Sequence, residues 1–454
     1  MVAPPKKRAP HKAIHYRTRD KGQFRNGSKS GGPEGGDIQD EKESSPENIN
    51  TTKHNQQLLD IFRNTYYELL TSSDFTPKLQ AVKQALFERD FAKAFGDPEN
   101  LEIYAARWSP TRALCYASVF AGIKDKLDKI LTPLPPPTTS QQSSAPSEDT
   151  FERTTSSSSS PPSEDTSKRT PSSSYFSSSS SPSENPEEPS EPEESTSTHH
   201  HHHHHHLQVL SIGGCAAELV AFGSLLSAFP PSTSGSLTLL DSGPWEDVIA
   251  SLTSTITTPP PVSKYASAAA KARGPGTALI HPPSRLLSST FLQKDVLALG
   301  PEGLSSIIGG DDDNNNNKPA LITLLFTLNE LFTASGIGKT TKFLLDLTSV
   351  APFGSLLLVV DSPGSYSETT IGKEESKKKY PMQWLLDRII LGTQKEPVAG
   401  RRWKKLESHD SVWFRLDQRE KKLDYPIALE NMRYQMHLYR VVDASLPEED
   451  SDDE

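Results

Sequence analysis

The half of the chain that follows Leu207 alternates short apolar runs with amphipathic stretches, and this pattern limits the fold more than any other feature of the sequence. Four apolar runs predict strands, at residues 208–212, 237–240, 321–326 and 356–360. Uninterrupted runs of this length are typical of strands buried on both faces of a parallel sheet. Between these runs, apolar residues recur at helical spacing, for example at residues 218–228 and 340–347. The alternation predicts an α/β domain with a doubly wound sheet.

The end of this region predicts a different arrangement of strands. Residues 412–416 and 432–441 favour two more strands, and in the second the apolar side chains alternate with polar ones at Met432, Tyr434, Met436 and Leu438. This period is typical of antiparallel strands, so we expect an antiparallel pair at one edge of the parallel sheet. Residues 255–290 and 309–319 interrupt the pattern and are predicted to be long loops or insertions.

Residues 54–131 carry apolar side chains at helical spacing throughout. Three stripes stand out, formed by Leu59, Phe62, Tyr66 and Leu69, by Leu79, Val82 and Leu86, and by Leu114, Ala117, Phe120, Ile123 and Leu127. The third helix has a predicted start in RWSPTRAL, with Ser109 as the N-cap and Pro110 at the first helical position. This segment predicts a small all-helical domain.

The remaining segments lack the apolar residues that a core requires. Residues 1–53 are basic and then rich in glycine, residues 132–206 are rich in Pro, Ser and Glu and end in eight histidines, and residues 443–454 are acidic. Such compositions cannot offset the loss of chain entropy on folding. We therefore expect a disordered arm, a disordered insert and an acidic tail, with the α/β domain over residues 207–442. The histidine run resembles repeat drift, and we assign it no function.

Charge and cysteine usage exclude several classes of protein. Residues 1–30 carry nine Lys or Arg against one Asp, and such an arm attracts phosphate backbones by counterion release. Its KKR motif also suits a nuclear import signal. The two cysteines, Cys115 and Cys215, exclude a disulfide framework and a cysteine-only zinc site. No apolar stretch has the length of a membrane span, so we expect a soluble intracellular protein without a metal site.

The stretch VLSIGGCAAELVAF, residues 209–222, has the strand, small-residue turn and helix start that a nucleotide-like cofactor requires. Gly213 and Gly214 let the chain turn tightly and let a ligand approach the backbone. Cys215 and Ala217 stand where such loops commonly have glycine. On its own this pattern also fits an ordinary strand-to-helix turn.

Two acids at predicted strand ends favour the cofactor interpretation. Asp241 ends the strand after Gly213, where an acid accepts hydrogen bonds from ribose hydroxyls. Asp295 stands where the third strand of such domains ends, and an acid in that position can reach an adenine amino group. Asp241 could instead cap the helix that follows.

A competing motif is SGIGKTT, residues 335–341, which lies between a strand and a helix and precedes LLLVVD. A P-loop would require glycine at position 333, where Thr333 stands. We therefore expect a solvated loop with Lys339 at the surface. A P-loop-like nucleotide-binding protein is kept as an alternative.

The sequence resembles a known family at several phrases, namely RWSPTRAL, VLSIGG-A-AELVA, LLDSGPW, LITLLFTLNELF, LLLVVDSPGSYSE, PMQWLLD and LENMRYQMHLYR. These are similar to the fungal S-adenosylmethionine (SAM)-dependent methyltransferases that modify uridine N3 in 25S (large-subunit) ribosomal RNA. The resemblance implies a Rossmann-like class I methyltransferase sheet with SAM as cofactor. It also implies ribosomal RNA or a pre-ribosomal particle as partner and no membrane. The location implied is the nucleus, in particular the nucleolus, with the cytoplasm as alternative, and the oligomeric state stays open.

Carried over residue by residue, the resemblance implies a cofactor site. Gly213, Gly214 and Ala217 would line the methionine end of SAM, while Asp241 would bind its ribose and Asp295 its adenine. The chain departs from methyltransferases in general at Ser211, where an acid is frequent, and at Cys215 and Ala217. A methyltransferase-like assembly factor without catalysis is therefore a further alternative.

The acceptor chemistry follows from residue types. Methylation at a pyrimidine carbon usually requires a cysteine after the fourth or sixth strand, and both cysteines lie earlier in the chain, which favours transfer to nitrogen or oxygen. Asn329 and Glu330 follow the fourth strand, where Asn329 would orient the base and Glu330 would assist removal of the N3 proton. Glu330 could instead cap a helix. Arg107 and Arg433 are candidates for binding the base, with structural roles as alternatives.

Overall fold

The computed structural model describes residues 46–133 and 204–445, apart from gaps at residues 261, 263–266, 274–275, 310–317, 365, 370–377, 393–397 and 417–422. Residues 1–45 of the predicted arm, nearly all of the low-complexity insert, most of the acidic tail and most of the predicted insertion at 309–319 lie outside the described residues. Residues 46–53, the end of that arm, belong to the first helix, so the prediction of disorder is wrong for them. Among the residues that are described, no helix combines the length and the apolar character needed to cross a bilayer.

Short helices make up the N-terminal part of the described chain. They are α1 (Pro46–Thr65), α2 (Tyr67–Thr71), α3 (Phe75–Glu88), α4 (Phe91–Phe95), α5 (Pro98–Arg107), α6 (Ser109–Gly122) and α7 (Lys124–Asp128). The prediction of Ser109 as an N-cap is wrong. The cap position is Trp108, which makes no side-chain capping bond. A single residue separates α5 from α6, so Trp108 ends one helix and starts the next, and Ser109 is already helical and buried.

Strands and helices alternate in the rest of the chain. The strands are β1 (Thr132–Pro133), β2 (His205–Ile212), β3 (Thr233–Asp241), β4 (Leu286–Gln293), β5 (Leu321–Leu325), β6 (Leu356–Asp361), β7 (Tyr366–Thr369), β8 (Lys378–Pro381), β9 (Arg401–Phe414) and β10 (Met432–Asp443). The helices are α8 (Ala216–Ala228), α9 (Glu246–Thr257), α10 (Ala268–Arg273), α11 (Gly300–Gly309), α12 (Leu328–Glu330), α13 (Ile337–Val350) and α14 (Met382–Ile390).

The main sheet has the order β4-β3-β2-β5-β6-β10-β9, with β1 paired to β2. The neighbours from β4 to β6 run parallel, whereas β10 pairs antiparallel with both β6 and β9. The doubly wound α/β sheet and its antiparallel edge are therefore confirmed. Because the strand order reverses between β2 and β5, the turns after these two strands diverge and leave room between them at the carboxyl edge of the sheet.

Alternate residues of the central strands enter two separate cores. Leu207 and Val209 of β2 pack with the helices α1, α3, α5, α6, α8 and α9, whereas Leu210 and Ile212 pack with α11, α13 and α14. The N-terminal helices thus cover one face of the sheet and share its core. One polar contact across this layer joins the His54 ring to Ser224 of α8 at 2.7 Å. The domain bounds proposed from the sequence stay a prediction.

Several predicted bounds differ from the structure. β2 begins at His205, so the last two histidines of the run belong to a strand, where His206 pairs with Thr132 of β1. β9 occupies Arg401–Phe414 rather than residues 412–416, because a ladder with β10, interrupted by two register shifts, extends it through polar residues. The predicted loop at 255–290 contains α10 and the start of β4. β4 was not predicted, and none of its side chains is fully buried.

Candidate active site

A cavity of about 750 Å³ opens at the carboxyl edge of the sheet, where β2, β3, β4 and β5 end. Three groups of residues line it. The turn after β2 contributes Gly213, Gly214, Cys215, Ala216, Ala217 and Glu218, the neighbouring strand ends contribute Asp241, Lys294, Asp295, Phe326, Thr327 and Glu330, and the N-terminal helices contribute Phe91, Phe95, Tyr104, Trp108 and Arg112. Both the sheet and the helical layer therefore form this cavity.

Gly213 makes the sharp turn between β2 and α8. Its φ is +71°, a left-handed conformation that glycine adopts without steric cost. A Cβ at this position would lie 2.2 Å from Cγ2 of Thr327, whose hydroxyl donates a hydrogen bond of 3.1 Å to the Gly213 carbonyl oxygen. Position 213 therefore requires glycine both for its backbone conformation and for space.

Gly214 lies directly against the carboxyl group of Glu218 in the first turn of α8. A Cβ on Gly214 would lie 2.4 Å from the carboxyl carbon. Glu218 is only 6% exposed, and this burial raises the pKa of its carboxyl group to about 7, against the lowering effect of backbone N–H groups and of Arg112. The charge of Glu218 therefore changes near neutral pH.

The two acids predicted at strand ends both line the cavity. Asp241, at the end of β3, accepts a hydrogen bond of 2.7 Å from the Gly243 N–H. Burial raises the pKa of Asp241, while the bonds from Gly243 and Trp245 act to lower it. Asp295 is exposed and accepts a bond of 2.9 Å from the Leu297 N–H. Asp295 is the N-cap of the 3₁₀ turn Val296–Ala298. Asp241 stabilises its own turn but caps no helix, because the cap position of α9 is Trp245.

A strained turn follows β5. Phe326 has a φ of +61°, a conformation that costs a residue other than glycine roughly 1–2 kcal/mol. Its N–H donates a hydrogen bond of 2.7 Å to the Val360 carbonyl oxygen of β6, which holds the turn. Strain of this kind is concentrated at functional sites. Here it directs the chain so that the Phe326 ring contributes to the cavity wall.

The structure separates the two residues predicted to be catalytic. Glu330 lines the cavity, and burial raises the pKa of its carboxyl group, with Asp241 and Asp361 adding to the rise and Arg112 opposing it. Asn329 does not line the cavity. Its N–H donates a hydrogen bond of 2.9 Å to Asp361 at the end of β6, and its buried Oδ1 has no partner among the described residues.

Arg112 of α6 brings a cation to the cavity between two aromatic rings. Its guanidinium carbon lies 5.4 Å from the ring centre of Tyr104 and 5.4 Å from that of Phe326, and it donates a hydrogen bond to the Tyr104 hydroxyl. Burial acts to lower the pKa of Arg112, but Tyr104, Tyr116 and Glu218 outweigh it and raise the pKa. Arg112 is therefore charged at every physiological pH.

Neither arginine predicted to bind the base lies at the cavity. Arg107 is buried and forms an ion pair with Glu430. It therefore has the structural role that was the alternative to binding the base. Arg433 is exposed on β10, where its Nε donates a hydrogen bond of 2.7 Å to the Ser411 hydroxyl. Its guanidinium carbon lies 5.5 Å from the ring centre of Trp413.

The two departures from common methyltransferase patterns lie in different surroundings. Ser211 is buried within the sheet, where its hydroxyl accepts a hydrogen bond of 3.0 Å from Thr323, and it does not reach the cavity. Cys215 does line the cavity, and burial raises the pKa of its thiol well above the usual value. Position 211 therefore faces a strand partner, and position 215 presents a small neutral group.

The SGIGKTT motif forms no phosphate loop. Its glycines begin α13, and the Thr340 hydroxyl is bonded to the Gly336 carbonyl oxygen at 3.1 Å within the first turn. A π-helical turn, Leu331–Ser335, occupies the chain that would otherwise form the cradle. Lys339 is exposed, so its predicted surface position is confirmed. The predicted loop is wrong, because Lys339 lies in the first turn of α13.

Comparison with known sequences decides which class of protein carries this site. The model of a family described as SAM-dependent methyltransferases matches residues 62–440. The chain belongs to this family. The methyltransferase is also 29% identical, in an alignment 411 residues long, to the 25S rRNA (uridine(2843)-N(3))-methyltransferase of Saccharomyces cerevisiae, with 85% of this chain and 85% of the yeast chain covered.

Solved structures give weaker matches. A SAM-dependent methyltransferase from Methanosarcina mazei is 10% identical, with 52% of this chain and 92% of that chain covered and a TM-score of 0.26. The 16S rRNA (adenine(1408)-N(1))-methyltransferase from Catenulisporales acidiphilia is 13% identical, with 52% and 88% covered and a TM-score of 0.27.

The residues of the cavity fit SAM. Gly213 and Gly214 present their backbone, with no side chain, at the cavity wall. The carboxyl groups of Glu218, Asp241 and Asp295 suit a molecule with two cationic groups. The volume is within the range of small-molecule sites. When bound, SAM supplies an electrophilic methyl group on its sulfonium.

Sequence reasoning missed Glu218, Arg112, Phe326 and Thr327. Glu218 had a local signal, since it is the one charged residue in the sequence of α8, a helix buried on nearly all sides. Arg112 had none, because it reaches the cavity only through the packing of α6 against the sheet. The conformation of Phe326 likewise depends on a hydrogen bond to the neighbouring strand.

Proposed function

We propose that the methyltransferase transfers the methyl group of SAM to N3 of a uridine in large-subunit ribosomal RNA. The support from sequence is its similarity, along 85% of both chains, to a yeast protein whose name states this activity. The structural observation that carries the proposal is Glu330, a carboxyl group of raised pKa that faces the cavity after β5. Uridine N3 bears a weakly acidic proton that must leave as the methyl group arrives, and such a carboxylate is suited to accept it.

The proposed step is a direct displacement. Glu330 accepts the proton from N3, and the electron pair of that N–H bond becomes available on N3, with the negative charge shared by O2 and O4. SAM held by the turn after β2 and by Asp241 and Asp295 would supply its methyl group to N3 and would leave as S-adenosylhomocysteine, so the RNA product would be N3-methyluridine. Glu330 afterwards releases its proton to solvent.

Arg112 is suited to stabilise the charge that develops in this step. A fixed cation beside a developing oxyanion is among the larger contributions that a protein makes to catalysis. Arg112 is held in place by the Tyr104 hydroxyl and by two rings. We place its guanidinium beside O2 or O4 of the uridine.

The aromatic part of the cavity offers a place for the base. Phe95 lies 5.1 Å from Tyr104 between ring centres, and Tyr104 lies 5.0 Å from Trp108, so the helical layer presents a continuous aromatic surface. Bases drawn out of a stack bind against such surfaces. The N-terminal helices would then supply the acceptor side of the site and the strand ends the cofactor side.

The state of the cysteines supports transfer to nitrogen rather than to carbon. Methylation of a pyrimidine carbon uses a thiolate nucleophile. Cys115 is buried within α6, and burial raises the pKa of its thiol to about 12. The thiol of Cys215 also has a pKa raised by burial. Neither cysteine is suited to act as a thiolate at neutral pH.

We further propose the nucleolus as the location and ribosomal RNA or a pre-ribosomal particle as the partner. The support is the activity stated in the yeast relative's name and the basic sequence of residues 1–30 with its KKR motif. Deletion of residues 1–30 should weaken the binding of ribosomal RNA and should leave SAM binding unchanged.

The proposed function is tested by digestion of ribosomal RNA and mass spectrometry of its nucleosides. Purified protein, SAM and ribosomal RNA from a strain that lacks the gene should produce N3-methyluridine, and the Asp241→Ala variant should not. Methylation of another atom, or of RNA other than that of the large subunit, would overturn the assignment.

A further inference from the structure

Trp413 near the end of β9 is an aromatic side chain that the fold leaves uncovered. It is 52% exposed, although burial of an indole is strongly favourable. Two arginines lie at its ring. The guanidinium carbon of Arg415 is 5.4 Å and that of Arg433 is 5.5 Å from the ring centre. An exposed indole between two planar cations is a surface suited to a planar ligand with negative charge nearby.

The arrangement around Trp413 is held by the backbone and by polar contacts. Arg433 is the register partner of Trp413 across the β9–β10 ladder, and its Nε is bonded to the Ser411 hydroxyl at 2.7 Å. The Leu416 N–H donates a hydrogen bond of 2.9 Å to the Asn431 side chain, which joins the two chain segments just beyond the ladder. The ring and the guanidinium of Arg433 are therefore positioned before any ligand arrives.

Trp413 and Arg433 lie at the same edge of the sheet as the cavity. β10 runs antiparallel to β6, and Gln435 pairs with Asp361, the last residue of β6. Arg433 comes two residues earlier in β10 and so lies beyond the carboxyl end of β6. The cavity opens at the ends of β2, β3, β4 and β5 along this edge. A chain that enters the cavity could extend along the edge toward Trp413.

We propose that Trp413, Arg415 and Arg433 form a stacking platform that binds an unpaired base of the RNA substrate next to the reacting uridine. This proposal rests on the proposed function, because it takes single-stranded RNA as the ligand. RNA fits better than a protein partner, since a base stacks on an indole while its phosphates meet the two guanidinium groups. A protein contact would need apolar groups around Trp413. Val412 and Phe414 pack against the core, and the neighbours of Trp413 on its own face of the ladder, Ser411, Arg415 and Arg433, are polar or cationic.

The chain contains a matched control for this arrangement. Phe353 is 39% exposed, and the guanidinium carbon of Arg401 lies 4.9 Å from its ring centre. This pair sits at the opposite edge of the sheet, because Phe353 precedes β6 and Arg401 begins β9. It has the same chemistry as the stacking platform but is remote from the cavity.

The test is the affinity for a fluorescein-labelled single-stranded oligouridylate, measured by fluorescence anisotropy with the full-length protein. Trp413→Ala should weaken binding roughly 5- to 150-fold, the range that corresponds to loss of one stacked base. Trp413→Phe should restore most of the affinity. Phe353→Ala should bind as the wild type does. None of the three variants should alter SAM affinity or the thermal midpoint of unfolding.

Other outcomes would overturn the stacking platform. Equal RNA affinity of Trp413→Ala and wild type would do so and would leave the exposed indole to a protein contact. An equal loss of affinity for duplex RNA in Trp413→Ala would also overturn the stacking platform, because bases in a duplex cannot stack on an indole. Methylation of ribosomal RNA by the wild type, together with unchanged RNA affinity of Trp413→Ala, would refute the platform alone. Absence of both binding and methylation in the wild type would refute the proposed function.

Discussion

The hydroxyl of Thr327 donates a hydrogen bond of 3.1 Å to the carbonyl oxygen of Gly213. This contact joins the turn after β5 to the turn after β2. The first of these turns leads to Glu330, and the second carries the glycines of the cofactor loop. The proposed proton acceptor and the cofactor loop therefore share one anchor, and a change at either end of it should affect both.

Gly213→Ala should destabilise the protein and abolish detectable SAM binding. The new side chain adds the cost of a left-handed alanine, roughly 1–2 kcal/mol, to an overlap with Thr327 at 2.2 Å. Gly300→Ala is the control, because Gly300 has a φ of +65° with nothing near a Cβ. Chemical denaturation and calorimetry should show the smaller, purely conformational loss for Gly300→Ala. Equal losses in the two variants would contradict the role of Thr327.

SAM affinity should rise with pH up to about 7 because of Glu218. Burial holds the pKa of its carboxyl group at about 7, and the ionised form favours a cationic ligand. The dissociation constant should therefore fall by up to roughly tenfold per pH unit below 7. Titration calorimetry should show this dependence in the wild type and not in Glu218→Gln. The same slope in both proteins would assign the dependence to another group.

The stability of the free protein should change with pH in the opposite sense. A carboxyl group whose pKa is raised on folding contributes stability that is complete below its unfolded pKa, near 4.3, and that is lost as pH rises through the folded value. Glu218 should therefore lower the thermal midpoint as pH increases from about 4.5 to 7. Glu218→Gln should reduce this slope, and SAM should offset it in the wild type.

Asp241→Ala should weaken SAM binding more than Asp295→Ala does. Asp241 is partly buried with a raised pKa, and loss of hydrogen bonds to a charged group costs about 1.5–3 kcal/mol, or roughly 10- to 150-fold in affinity. Asp295 is exposed, so water competes for the same bonds and the loss should be smaller. The reverse order of affinities would indicate that Asp295 binds the ribose and Asp241 the adenine.

Glu330→Gln should lower the rate of the methyl-transfer step by roughly 10²- to 10⁴-fold. SAM affinity should change little, because the amide has the same shape. Single-turnover rates should rise with pH in the wild type through a pKa above the usual value for glutamate, since burial raises it. This inflection should be absent in the variant. Glu302→Gln, a change in the first turn of α11 away from the cavity, is the control.

The sheet could be predicted from the sequence because its signal is local. Uninterrupted apolar runs place β2, β5 and β6 in the interior, and the alternation around Tyr434 places β10 at an antiparallel edge. Asp241 was found for a related reason, since parallel strands bring their ends to one edge. Asp295 was placed from its position in domains of this kind, although the strand before it, β4, was not predicted.

Residues that enter the site through tertiary packing could not be found in this way. Arg112 is distant in sequence from the strands and meets Phe326 only because α6 covers the sheet. Arg433 was predicted to bind the base because of its motif. In the structure it lies beyond the carboxyl end of β6, beside Trp413 and away from the cavity. Asn329 and Glu330 are adjacent in sequence, but one short helical turn points them to different surroundings.

The pairing of Thr132 with His206 in β1 and β2 has a consequence for how this gene can vary. Thr132 and His206 are neighbours across two paired strands, so the two ends of the segment between them lie together whatever its length. Each doubling of such a closed segment adds only about 0.6 kcal/mol to the cost of closure. Expansion or contraction of its serine and histidine repeats should be nearly neutral, and this junction is a suitable place to insert a reporter domain.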